Sequence, residues 1–230
     1  MKQGRSSEFR SSEFRSSELR VQSSERPELS TLNSELSTSN SELPPPAWKW
    51  ASFVARLTEL SASPAGAPLT LAFRLVLDAQ RRGEPTAWIG RKDAPFYPPD
   101  AAESGVDLAA LAVVWAGEAV AAAKAADFLV RSGAFGLVVL DLGRDARLPM
   151  HASSRLAMLA RQHEAAVVCL TGKDAARPSL GPLVSLRAHA TARARGDGGR
   201  FRCEVFVLKD KRRGGSWSVA EVCRGPDGLH

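Results

Sequence analysis

The chain has 230 residues, 44 % of them hydrophobic, with a formal net charge of +6 and a pI of about 9.6, enough for one sizeable domain and a tail. Its three cysteines, Cys169, Cys203 and Cys223, form no C-x-x-C pair; so sparse and odd a set argues against a disulfide framework or a zinc knuckle and for a reducing, cytoplasmic setting. No apolar run is long enough to span a bilayer, and the charged, Ser-rich start lacks the apolar stretch of a secretory signal.

Residues 1–46 stand apart. They carry the repeat RSSEF-RSSEF-RSSEL from Arg5 to Leu19 and then a Ser-, Glu- and Asn-rich stretch. Such a composition buries too little to offset chain entropy. A five-residue period also drifts around a 3.6-residue helix, so Phe9, Phe14 and Leu19 make no narrow stripe. The plain reading is a disordered low-complexity tail, in part an artefact of start-site choice. The functional alternative is a flexible tether with phosphorylatable serines. Pro44-Pro45-Pro46 is a stiff boundary to a domain over 47–230. The tail holds six basic and seven acidic side chains, which leaves the domain with 25 and 18, a net charge of +7. Such a balance favours acidic partners such as nucleic acid, although it also serves solubility.

Within the domain the pattern predicts alternating strands and helices. Arg56–Leu60 reads as a strand. Residues 68–82 read as a helix with Leu71, Ala72, Leu75, Val76 and Ala79 on one face and Arg74, Asp78 and Arg82 as charge neighbours on the other. Thr86–Ile89 is a strand and 118–131 an Ala-rich helix. Leu137–Leu140, ending in Asp141, and Ala166–Leu170 are all-apolar runs, the mark of strands buried on both faces. Between them 153–163 reads as a helix with Ser153 or Ser154 as its cap. From Val184 the apolar residues alternate with polar ones, and they alternate again from Phe201 after the turn Gly196–Gly199, which predicts a hairpin. Trp217–Val222 could add a strand. The expected fold is α/β, with a mixed, mainly parallel sheet flanked by helices and an antiparallel hairpin at the end.

The order of these pieces over residues 54–210 resembles the core of the RecA-like superfamily. Arg56–Gly83 is similar, without a gap, to the family's first strand, phosphate loop and following helix. Gly105-Val106-Asp107 and Arg131–Ala134 resemble short family motifs, Leu137–Asp141 the Walker B strand, and Val205–Lys211 the late strand that ends in a Lys-x-Lys pair. A phosphate loop needs glycines, a lysine and a Ser or Thr that holds magnesium. Here the loop is degenerate at Gly66, Ala67, Pro68 and Leu69: the resemblance puts Pro68 at the lysine position and Leu69 at the magnesium-hydroxyl position. Two lost charged contacts at about 1.5–3 kcal/mol each weaken nucleotide binding by about 10²–10⁴-fold. Lys92 falls where the family carries a catalytic Glu, with Asp93 beside it. Asp141 is then vestigial and more simply a cap for the turn after its strand. The stretches after Asp141 and after Leu170 are shorter than the DNA-binding loops of recombinases.

The resemblance therefore implies a protein with no catalytic residues, no nucleotide, no metal and no cofactor. It is closest in pattern to the ImuA type, an accessory of SOS-induced translesion synthesis that works through a polymerase subunit or a RecA-type protein. The alternatives are a SulA-type inhibitor of the tubulin-like division protein and a divergent RecA-type ATPase. DNA could be met by the basic hairpin, whose candidate contacts are Arg187, Arg193, Arg195, Lys209, Lys211, Arg212 and Arg213. Arg187, Arg193 and Arg195 share strand parity; the competing reading is a solvated sheet face. Ser153, His163 and Asp141 make no hydrolase triad, since no G-x-S-x-G elbow accompanies them. No histidine spacing suggests a metal, and no membrane partner is expected.

Overall fold

The strands and helices expected from residue 48 onward fold into one sheet with helices on both sides. The computed structural model describes residues 47–62, 67–92, 96–144, 146–194, 200–214 and 216–224. By contacts the chain divides into Met1–Glu42 and Leu43–His230; the described residues belong to the second unit. The tail, Gly66, Asp93 and Arg195 lie outside them.

After a short 3-10 turn at Trp50–Ser52 come β1 (Arg56–Ala62), α1 (Pro68–Gln80), β2 (Thr86–Arg91), α2 (Pro98–Glu103) and β3 (Leu111–Ala116). Then follow α3 (Ala119–Arg131), β4 (Leu137–Asp141), α4 (Met150–Gln162) and β5 (Ala166–Thr171). The chain ends in β6 (Leu186–Ala194), β7 (Arg200–Asp210) and β8 (Trp217–Arg224). The eight strands lie in the order β3-β2-β4-β5-β1-β6-β7-β8. Pairs among β1 to β6 are parallel, and β7 runs antiparallel to both β6 and β8.

Strand alternation divides the core between the two faces of the sheet. On the first face Leu60, Trp88, Val139, Val168 and Ala188 pack with α1 and with Trp48 and Phe53. On the second, Leu57, Ile89, Leu140 and Val167 pack with α3 and α4. This two-sided cover is why β1, β4 and β5 are buried along their whole length and why β4 and β5 read as apolar runs. Pro68 opens α1, where its missing N–H is one of the unpaired donors of any helix start. Gly83, at φ +78, ends the turn that follows the helix, a left-handed position that glycine adopts without a Cβ penalty.

Three features depart from expectation. Helix α4 starts at Met150 with Pro149 as its N-cap residue, so Ser153 lies inside the first turn, buried, and caps nothing. The exposed face of α1 is not a simple charge row. Arg82 pairs with Asp78 at 3.5 Å, while Arg74 leaves the helix to meet Glu221 of β8 at 2.9 Å. Strand β3 has no polar alternation to betray it, because it is a sheet edge that leaves Val113 and Trp115 in solvent.

Among the described residues, no helix is long and apolar enough to cross a membrane.

Candidate functional site

The carboxyl ends of the parallel strands are where an open α/β sheet ordinarily holds its ligand. Here β1 leads to a loop of which Ala67 is the first described residue after Ala62. Ala67 precedes α1 and offers no side-chain cap, and Pro68 is the first helical residue. Leu69 packs against the apolar core of the first face. Pro68 is thus an imino acid without N–H, and Leu69 a partly buried apolar side chain.

At the end of β2, Lys92 is exposed. Arg91, one residue earlier, lays its guanidinium over Gly143, where a Cβ would have to push it aside. Gly143 has φ +75, and its N–H donates to Asp141 Oδ1 at 3.3 Å. Asp141 therefore closes the turn after β4.

The most elaborate polar cluster was not anticipated. Glu59, fully buried in β1, accepts hydrogen bonds from Thr171 Oγ1 at 3.2 Å, Ser179 Oγ at 2.7 Å and Leu180 N at 2.9 Å. Lys173 Nζ lies 3.7 Å and Arg187 Nε 3.9 Å from its carboxylate. The segment 172–185 is thereby strapped over the second face of β1 and β6. The signal was present in RLTEL: a carboxylate in the middle of a strand buried on both faces must be paired. Beside this strap a cavity of about 510 Å³ opens between the loops after β4 and β5, with Arg147, Lys173, Arg177 and Ser179 in its wall. The described wall residues include three cations and no carboxylate.

At the opposite end of β1, Arg56 and Asp210 form a buried ion pair. Arg56 also donates to Ser185 Oγ and O, both at 3.0 Å. Asp210 accepts from Arg212 N at 2.9 Å and Trp217 Nε1 at 3.1 Å. Burial pushes the Asp210 carboxyl up, but the bonds from Arg56, Arg212 and Trp217 outweigh it and hold it below the usual carboxylate range.

The predicted basic residues separate into groups. Arg187 and Arg193 point to the second face of the hairpin, as their parity requires. Arg187 is turned inward: besides Glu59 it donates to the carbonyls of Arg177 and, at 3.4 Å, Asp174. Lys209 and Lys211 both reach the Pro182 carbonyl, at 3.5 and 2.6 Å. Burial lowers the Lys209 ammonium, and Lys211 and Arg187 beside it lower it further. Arg212 is held at the other edge by the carbonyls of Val54 at 2.7 Å and Ala55 at 3.3 Å, and Arg213 lies in the same turn.

Hydrolytic arrangements find no support. Ser153 and His163 stand at opposite ends of α4, a separation of about 15 Å at 1.5 Å per residue. Ser61 Oγ does meet His189 Nδ1 at 3.2 Å, but the hydroxyl is enclosed and donates to the Ala188 carbonyl at 3.0 Å. Burial holds the His189 imidazole below its ordinary value, with Asp174 opposing and Arg187 assisting. Among the described residues no three His, Cys, Asp or Glu side chains form a group able to hold a metal.

No protein-family model matches the chain, and no curated protein matches it at a meaningful level of similarity.

Proposed function

We propose that this chain is a non-catalytic protein of RecA-like architecture that acts through partners, as an accessory of DNA repair in the setting of translesion synthesis. The observation that carries the non-catalytic part is the pair Pro68 and Leu69. One has no charge and no N–H at the start of α1, and the other packs into the core of the first face. Neither side chain can neutralise a phosphate or hold a magnesium ion.

The architectural part is supported by where the resembling segments fall. Arg56–Gly83 spans β1 and α1, Leu137–Asp141 is β4, and Val205–Lys211 closes β7. With the phosphate position lost, what such a scaffold offers is surface: the edge strand β3, the basic hairpin and the cationic cavity beside the 172–185 strap. The repair setting rests on the resemblance to ImuA-type proteins and on the domain's positive charge.

The test is reconstitution. The full chain is mixed with a purified Y-family polymerase subunit, and separately with the tubulin-like division protein, and each mixture is run by size-exclusion chromatography. Co-elution with the polymerase subunit is the expected result. Co-elution with the division protein alone contradicts the repair reading.

A further inference from the structure

The antiparallel ladder of β6, β7 and β8 fixes a grid on the second face of the hairpin. In one row Arg193 faces Arg202, which faces Val222. In the next Thr191 faces Glu204 and Ala220, and in the third His189 faces Phe206 and Ser218. Beyond a register shift, Arg187 faces Lys209. Rows are two residues apart, about 7 Å along the strands.

The 172–185 strap closes over the Arg187 end of this face, where the Arg187 side chain is 12 % exposed and His189 8 %, but the part that carries Phe206, Arg202 and Val222 is open to solvent. Phe206 is 43 % and Val222 54 % exposed, although the opposite side of the same strands, at Cys203, Val205 and Val207, is buried. The two outer rows each set like charges directly opposite one another, an arrangement that destabilises a ladder. A single carboxylate, Glu204, lies between them, 3.7 Å from Arg193 and 3.3 Å from Arg202. The Arg193 side chain is nonetheless 77 % exposed and that of Arg202 49 %. An exposed cationic row, Arg193 with Arg202, on the same face as an exposed aromatic ring suits a polyanion that also carries flat apolar groups.

We propose that this face binds single-stranded nucleic acid, with a base stacked on Phe206 and backbone phosphates on Arg193 and Arg202. A duplex hides its bases and leaves the ring nothing to stack on; a single strand offers both groups. Lys209 and Arg187 bound the site on the side of the strap, where Arg187 is already paired with Glu59 and Lys209 donates to the Pro182 carbonyl. The choice of DNA over RNA rests on the repair reading above, whereas the single-stranded class rests on the face alone.

The test is fluorescence anisotropy of the full chain with labelled oligo(dT), oligo(rU) and a DNA duplex. Oligo(dT) should bind at low salt, more tightly than duplex, and weaken steeply as salt rises. Phe206→Ala and Phe206→Leu should each weaken binding about tenfold while Phe206→Tyr retains it. Arg193→Ala and Arg202→Ala should each reduce the salt slope by about one. Arg82→Ala, beyond the end of α1, should change nothing. All of these positions are solvent-exposed, and unchanged thermal melts confirm that each variant folds. Absence of single-strand binding at low salt, equal affinity for duplex, or full affinity in Phe206→Leu overturns the proposal. So does a dimer of the chain that Phe206→Ala dissolves. A preference for oligo(rU) keeps the face and removes the repair reading; co-elution with the polymerase subunit without any oligonucleotide binding does the reverse.

Discussion

Arg56 and Asp210 are 154 positions apart in the chain and join the start of β1 to the end of β7 out of reach of water. Removing one member of such a pair leaves the other charge buried and unmatched. Asp210→Asn is therefore expected to cost about 3–5 kcal/mol, read as a loss of unfolding free energy in denaturant melts. Because the Asp210 carboxyl is held below its ordinary value, its contribution is complete above about pH 4 and is lost as the pH falls through the depressed folded value. Acid titrations of the wild type and Asp210→Asn should converge in that range. A second residue-scale expectation concerns the thiols. Arg74 Nη1 donates to Cys223 Sγ at 3.7 Å. The Cys203 hydrogen bond, with Arg74 assisting against burial, brings the Cys223 thiol down to about 7. Burial drives Cys169 up, and the bond to Cys223 together with burial drives Cys203 up. Native-state alkylation should accordingly reach Cys223, on the edge strand, before the other two, and Cys223→Ser should remove the fast phase.

At the scale of elements, the strap 172–185 is the part whose order depends most on one side chain. Glu59→Ala deprives Lys173 and Arg187 of their carboxylate and frees Ser179 Oγ and Leu180 N. The expected result is a loss of about 3–5 kcal/mol, with faster amide hydrogen exchange through 172–185 than in β4 or α3. The elements that could be read in the sequence were those with a single strong periodicity. The apolar runs of β4 and β5, the stripe of α1 and the alternation of β6 and β7 each state their environment locally. Strand β3 does not, because Leu111–Ala116 is an apolar run that half faces solvent at an edge. The start of α4 was misplaced because the helix opens at Met150 behind Pro149, with no side-chain cap to announce it. The Glu59 cluster was hidden for another reason: its partners come from residues 112 to 128 positions away, and only the fold brings them together. The basic hairpin was visible as composition, but the rows that set Arg193 against Arg202 and frame Phe206 exist only once the register is fixed.

For the molecule as a whole, on the proposed reading, the end of the sheet that would bind a nucleotide and the hairpin face have exchanged importance. Around Pro68, Leu69 and Asp141 the side chains serve helix start, core and turn, and exposed cations lie on β6–β7 and around the cavity near Arg147 and Arg177. Calorimetric titration of the full chain with ATP in the presence of magnesium tests the first half of that exchange most directly. No heat of binding at millimolar nucleotide and no phosphate release on prolonged incubation are expected. Magnesium-dependent binding at micromolar nucleotide would contradict the proposed reading.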